Sequence, residues 1–354
     1  MPASAGGTAS ARAHGDTPAR EELRAMLEEV EGCLRAFLAR ERFRWSRPDG
    51  RGAEPALAVS ELVDAGGKRL RPRFLLSGYL AAGGEAGDVP VRAATALELL
   101  HVAALVHDDV MDDADRRRGR PTVHARHAGI HRDMGWFGEP RRYGEAMAIL
   151  AGNLAWAYAD HLMAGTSRAV AGEWFDLKAE LIAGQAMDVT GAAELTPDPE
   201  LARHIALLKS GRYTVHRPLA LGALLAGRAD LAAAFQPYGE ALGEAFQLRD
   251  DLIDAFGDGV VSGKPVRQDF GRGKMTLLLA LAMRSDGRIR GLVERGEAEL
   301  LHERLSGTAV HARVEARIDR LVERACDSLD GADLTPEWRR ELIATASSAA
   351  YRER

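Results

Sequence analysis

The chain repeats one pattern of carboxylates in two places, each time against an apolar run. Asp108, Asp109 and Asp112 follow "LLHVAALVH", and Asp250, Asp251 and Asp254 stand in "FQLRDDLID". At about 100° per residue, each triplet falls within an arc of about 100° on one helix face. Gln247 lies three residues before Asp250, on the same side, and His101 lies two turns deeper than Asp108. Carboxylates crowded at the mouth of an apolar helix cluster repel one another unless cations hold them. Oxygen ligands without His or Cys suit Mg²⁺, which takes one or two carboxylates together with substrate phosphates. One triplet alone reads as well as a solvated helix end. Two at equal spacing, each after an apolar run, point to a site.

The rest of the chain supports helices around it. Ala and Leu are abundant and aromatics scarce, a mix that favours helices over sheets. No alternating strand pattern of useful length occurs. The spacing predicts helices over 19–43, 56–65, 91–113, 146–164, 168–192, 198–225, 229–257, 275–285, 288–305, 308–329 and 335–351. Gly211 and Pro218 predict a kink in the 198–225 helix. Pro72 suits the first position of a helix after "GGKRLRP", and 129–145 and 257–274 read as long connections. Residues 1–18 read as a disordered tail without the apolar stretch of a secretory signal. The expectation is therefore an all-α fold, one large bundle over 19–354. A net charge of -5 does not suggest a general binder of nucleic acid or membrane surfaces. No apolar run looks long enough to span a membrane. Two distant cysteines, Cys33 and Cys326, form no disulfide framework, so a reducing cytoplasm is the expected location.

Basic residues complement the acids. "GGKRLRP" sets Lys68, Arg69 and Arg71 on a glycine loop entering a helix N-terminus, where backbone N–H groups and the helix dipole favour anions. Arg117 and Arg118 follow the first aspartate block, Lys209 precedes Gly211, and Lys264 and Lys274 follow the second block. Arginine forks match phosphate oxygens in pairs. Any one of these residues alone reads as a solvated surface charge, and His101 alone as a core histidine.

Taken in order, "GGKRLRP", "ELLHVAALVHDDVMDDADRRRGRPTVH", "GQAMD", "KSGRYTVHRPL", "FQLRDDLID", "GKPVRQDF" and "GKMT" resemble the trans-isoprenyl diphosphate synthases, from about Leu57 to Leu281. The resemblance implies an all-α isoprenoid synthase bundle around a deep central cavity, usually a homodimer. It implies condensation of isopentenyl diphosphate with an allylic diphosphate, the product being five carbons longer. It implies Mg²⁺ on Asp108, Asp112 and Asp250, supported by Asp109, Asp251 and Asp254, with about three ions per site when substrate is bound. Arg117, Lys209 and Lys264 match the family's contacts to the ionising diphosphate. Lys68, Arg71, His101 and Arg118 match its isopentenyl diphosphate site, and Lys274 its substrate lysines. Gln185, Ser210 and Gln247 match positions beside the reacting carbons. Asn153 stands where the family usually has Asp.

In this family a bulky aromatic four or five residues before the first aspartate ends chain growth early. Ala104 and Ala103 stand there, and only two residues separate Asp109 from Asp112, where farnesyl-type bacterial enzymes carry two more. Both features imply a product longer than fifteen carbons, geranylgeranyl diphosphate first and longer polyprenyl diphosphates next. Leu100, Met147, Trp156 and Tyr158 are candidates for a deeper floor. A class I terpene cyclase would need a different second metal motif and a single diphosphate site. A regulatory subunit of a heteromeric synthase would be expected to lose aspartates or basic partners. A purely structural helical protein has no reason to match aspartate faces.

Overall fold

Apolar side chains at helical spacing meet across a bundle in this computed structural model, which describes residues 17–46, 50–256 and 274–352. Helix α1 (Pro18–Trp45) starts where Thr17 accepts the Arg20 N–H and Pro18 takes the first position. Its stripe Leu23, Met26, Val30, Leu34 and Leu38 is buried. The expected tail therefore runs two residues too far, because Thr17 and Pro18 already belong to the start of α1; residues 1–16 lie outside the described part.

Helices α2 (Glu54–Asp64) and α3 (Leu70–Ala81) flank the glycine loop. Pro72 is the third residue of α3 rather than the first, since Arg69 caps the helix in a left-handed conformation. The first turn has no intrahelical partners for its N–H groups, so Pro72 still costs no hydrogen bond. Helix α4 (Asp88–Met111) carries the first aspartates to its C-terminal end. It is long and apolar enough to cross a membrane by length and composition, which corrects the expectation that no such run exists; 72% of its most apolar window is buried inside the protein. That places it as a core helix.

Two residues of strand follow, Arg116–Arg117 pairing with Arg120–Pro121 around a turn at Arg118 and Gly119. Both turn residues have positive φ, as a tight hairpin demands. The expected connection at 129–145 is mostly helix instead. Helix α5 (Val123–Asp133) and helix α6 (Pro140–Met163) leave only a short link. The buried face of α5 is mostly histidine, His124, His127 and His131 beside Ala128, a stripe that apolar periodicity does not register. Glu139 caps α6 by accepting the Arg141 and Arg142 N–H groups.

Helix α7 (Arg168–Glu194) precedes a rod in three parts: α8 (Pro199–Ala206), a π-helical segment (Leu207–His216) and α9 (Arg217–Leu225). The wide turn takes the place of the expected kink. The Arg217 N–H reaches five residues back to Arg212 O, and Pro218, which has no N–H to offer, follows inside the first turn of α9. Helix α10 (Ala229–Phe256) packs along this rod and bears the second aspartates. Among the described residues, the further α-helices are α11 (Leu277–Ser285), α12 (Arg288–Glu294), α13 (Ala298–Ser306), α14 (Val310–Ser328) and α15 (Pro336–Ala350). The expected 288–305 helix is two, broken at Gly296, whose φ is positive. One contiguous apolar cluster joins α1 to α15.

Candidate active site

The C-terminal end of α4, the C-terminal part of α10, α7 and the π-helical segment face one cavity of about 350 Å³. Asp108, Asp109 and Asp112 line it from one side, and Asp250, Asp251 and Asp254 from the other. The two matched faces seen in the sequence therefore look into the same space.

Asp108, Asp109, Asp112, Asp250 and Asp251 are each met by a base or a donor. Lys209 Nζ lies 3.0 Å from Asp108 and 2.6 Å from Asp188. Arg117 binds both oxygens of Asp109, at 2.9 and 3.0 Å through Nε. Lys274 stands 3.9 Å from Asp112. Gln247 Nε2 donates to Asp251 at 2.8 Å. Arg352 pairs with Asp250. The charges shape one another. Burial opposes ionisation of Asp108, yet Lys209, Lys274 and Arg117 outweigh it and hold its carboxyl below the usual range. Burial pushes Asp109 up despite Arg117, and burial with the neighbouring Asp108 charge pushes Asp112 up. A cation brought to these acids would relieve that repulsion.

Among the described residues, no group of three or more acids, histidines or cysteines is close enough to hold an ion alone. This fits Mg²⁺, a hard cation that takes few carboxylates and completes its shell with water and phosphate oxygens. Asp108 and Asp112 on α4 and Asp250 on α10 would be the residues to hold Mg²⁺, which would supply Lewis-acid neutralisation of a bound diphosphate.

A second, cationic recess adjoins the aspartates. Arg71 stacks 4.3 Å from the Tyr213 ring centroid, and His101 lies beside the same ring. Arg71 Nε, His101 Nδ1 and the Tyr213 hydroxyl are buried without a hydrogen-bond partner. Burial, with Arg71, Arg117 and Arg118 nearby, pushes the His101 imidazole well below its usual range. The recess thus offers donors and positive charge, which suits an anion. Arg118 completes its rim and bonds the Gly66 carbonyl. Lys68 is exposed on the loop and does not line the cavity.

Gln185, Ser210 and Gln247 also line the cavity, which has an apolar wall as well. That wall includes Ala104, Leu105, Leu181 and Ile205. Ala103 is fully buried behind it, and Leu100 and Tyr158 belong to the core; Tyr158 packs edge-on against Phe37. Met147 and Trp156 do not line the cavity either. Asn153 is exposed on α6, away from the cavity. Lys264 lies outside the described residues.

Three participants escaped the sequence reading. Asp188 shares Lys209 and sits one turn beyond Gln185, inside a motif already singled out. Tyr213 lies one turn beyond Lys209. Arg352 belongs to no motif. Arg69, by contrast, turns away from the cavity to bind Glu31 and Glu98.

The family model described as polyprenyl synthetase matches residues 56–301. A short chain isoprenyl diphosphate synthase of Methanothermobacter thermautotrophicus is 33% identical over 265 residues, 72% of this chain and 75% of that protein. A geranylfarnesyl diphosphate synthase of Aeropyrum pernix is 33% identical over 308 residues, 81% of this chain and 90% of that one. Among solved structures, a geranylgeranyl pyrophosphate synthase from Corynebacterium glutamicum, complexed with isoprenyl diphosphate and magnesium, superposes with a TM-score of 0.87 at 32% identity. It covers 93% of this chain and 99% of that one. With two aspartate faces across one cavity and a cationic recess beside them, the chain belongs to the polyprenyl synthetase family and is a trans-prenyltransferase of the all-α isoprenoid synthase fold.

Proposed function

We propose that this enzyme condenses isopentenyl diphosphate with an allylic diphosphate and releases geranylgeranyl diphosphate. The observation that carries the reading is the division of the cavity into two anion sites of different chemistry. The aspartates and their lysines suit a diphosphate that must leave. The recess of Arg71, His101 and Arg118, joined by Lys68 on the loop, suits one that must stay. Mg²⁺, bound by Asp108, Asp112 and Asp250 with support from Asp109, Asp251 and Asp254, supplies Lewis-acid neutralisation of the leaving diphosphate. About three ions per site accord with acids on two separate helices.

The chain's own groups do the rest. Arg117, Lys209 and Lys274, with Lys264, offset the charge that develops as the allylic C–O bond breaks. Ser210, Gln185 and Gln247 border the space where the cation and the double bond meet. The departing diphosphate takes the proton lost after C–C bond formation. Ala104 leaves the wall below Asp108 open, which supports a product longer than fifteen carbons. Exposed Ile149 and Leu150 on α6, and Phe175, Ile182 and Val189 on α7, support a homodimer. Two free, part-buried cysteines accord with a cytoplasmic enzyme.

The test offers the purified protein isopentenyl diphosphate, Mg²⁺ and each of dimethylallyl, geranyl and farnesyl diphosphate, then sizes the dephosphorylated products. A twenty-carbon alcohol as end product is expected. A longer ladder keeps the reaction and rejects the product, and a fifteen-carbon stop rejects the role given to Ala104. Release of a cyclic hydrocarbon would sink the transferase reading.

A further inference from the structure

Asp250 differs from Asp108, Asp109 and Asp112 in where its cation comes from. Lys209, Arg117 and Lys274, which meet Asp108, Asp109 and Asp112, all belong to the cavity wall. Asp250 is met by Arg352, which arrives from beyond α15. The approach is fixed rather than accidental. Arg249 on α10 donates to the Ala350 carbonyl at 2.7 Å, and the Tyr351 hydroxyl donates to Asp319 at 2.9 Å. These bonds deliver Arg352 over the Phe246 ring, with its guanidinium carbon 3.7 Å from the centroid.

Held there, the guanidinium is poorly satisfied. Apart from Asp250 it has one long bond, 3.4 Å to the Phe246 carbonyl, and its Nε is buried without a partner. Its neighbour Arg249 is different, binding both oxygens of Glu315 at 2.8 and 2.7 Å as well as the Ala350 carbonyl. A permanent strut satisfies its donors, as Arg249 does. Arg352 has been brought to one carboxylate and given little else.

We propose that Arg352 is a displaceable stand-in cation: it holds Asp250 until a divalent ion binds there, and it must withdraw for that ion to enter. The inference rests on the reading of Asp250 as a Mg²⁺ ligand. Mg²⁺ sits about 2.0–2.1 Å from a carboxylate oxygen. A guanidinium on the same oxygen would oppose the ion with a like charge at contact distance. Asp250 is 48% exposed on its side chain and lines the cavity, so an ion can approach it from there. The segment after α15 is then coupled to metal binding, ordered over Asp250 without the ion and released with it.

Calorimetry of Mg²⁺ binding in the presence of inorganic pyrophosphate tests this on the full chain. Losing a competing ion pair worth at most about 1 kcal/mol should tighten apparent Mg²⁺ binding in R352A by up to about five-fold. R352Q keeps part of the stem over Phe246 and should tighten it equally. Hydrogen exchange supplies a readout free of chemistry: protection at residues 347–352 should fall in the wild type when Mg²⁺ and pyrophosphate are added. Weaker binding in R352A would make Arg352 a diphosphate ligand and overturn the inference, as would tightening in R352A but not in R352Q, or protection that holds or rises. D250N separates the two readings. If D250N binds Mg²⁺–pyrophosphate as the wild type does, the metal role of Asp250 fails and takes the inference with it. If D250N loses binding while R352A and R352Q match the wild type, only the stand-in role fails.

Discussion

A single side chain can decide whether the glycine loop presents its cations at all, and Arg69 is that side chain. It stands between Lys68 and Arg71, and in the sequence all three look alike. In the structure Arg69 takes a left-handed backbone conformation, φ 48°, and turns inward. It bonds Glu31 at 2.5 Å, Glu98, and the Val63 carbonyl at 3.1 Å. Its side chain is 11% exposed and that of Glu98 only 6%, so removing the arginine strands a buried carboxylate. The two glutamates outweigh burial and hold the guanidinium above its usual range, so Arg69 keeps its charge. Arg69→Met should cost about 3 kcal/mol, the low end for a broken buried pair because Glu31 keeps some water. Arg69→Lys should recover part of this, since an ammonium cannot span two carboxylates as a fork does. Urea denaturation measures both; a loss under about 1 kcal/mol for Arg69→Met would refute the strut role. KM for isopentenyl diphosphate should rise in Arg69→Met as the loop loses its anchor. The sequence could show that this loop is basic, but not which base points inward, because burial of one of three adjacent cations depends on Glu31 and Glu98 from distant helices. Arg352 was invisible for a related reason. Its meaning comes from a contact 102 positions away in sequence with Asp250, and nothing around it forms a pattern.

At the scale of elements, the aspartate helices were legible because carboxylates at helical spacing beside an apolar run have few other readings. The buried face of α5 was not, since histidines carry it. The π-helical segment was half legible: Gly211 and Pro218 announced an irregularity, and the structure turns it into a widened turn that sets Lys209 and Ser210 against the cavity. A wide turn needs room, and its neighbours give it. A Cβ on Gly243 of α10 would stand 2.5 Å from the Gly211 Cα and carbonyl oxygen, and one on Gly184 of α7 would stand 2.6 Å from the Lys209 nitrogen. These are backbone atoms, with no rotamer to yield. Gly243→Ala therefore sets two effects against each other. Helix propensity favours Ala by up to about 1 kcal/mol. Forcing α10 off the π-helical segment costs about 1–3 kcal/mol, as overpacking in tight cores does. The clash should win, lowering the melting temperature, and kcat should fall because Lys209 and Asp250 ride on the two elements being separated. A melting temperature at or above the wild type would mean that the helices part without strain, and that their contact does not set the site.

On the scale of the whole molecule, α7 shows why the enclosed half of the architecture was easier to read than the outer half. Its inner face turns Leu181, Gln185 and Asp188 to the cavity. Its outer face exposes Phe175, Ile182 and Val189 by 65%, 57% and 48%, one every second turn along a single stripe. Ile149 and Leu150 on α6 add 46% and 54% exposure. Isolated exposed apolar residues are ordinary, but a stripe of them on neighbouring helices marks a surface meant to be covered. A second copy of the chain is the economical cover, since a two-fold contact lays the same stripe against itself. Such an interface needs to bury roughly 800 Å² on each partner to be stable. The prediction is a dimer by sedimentation equilibrium at micromolar concentration, and a shift to monomer in the double variant Leu150→Glu with Ile182→Glu. That variant places like charges face to face across the contact and leaves the cavity lining unaltered. Its activity should fall with dilution faster than that of the wild type, because Gln185 lies one turn from Ile182 on the adjoining flank of the same helix and contacts Met111 beside the first aspartates. A wild-type monomer at micromolar concentration would reject the dimer. A monomeric double variant with wild-type activity would keep the dimer but detach it from the site, leaving α7 as two independent faces.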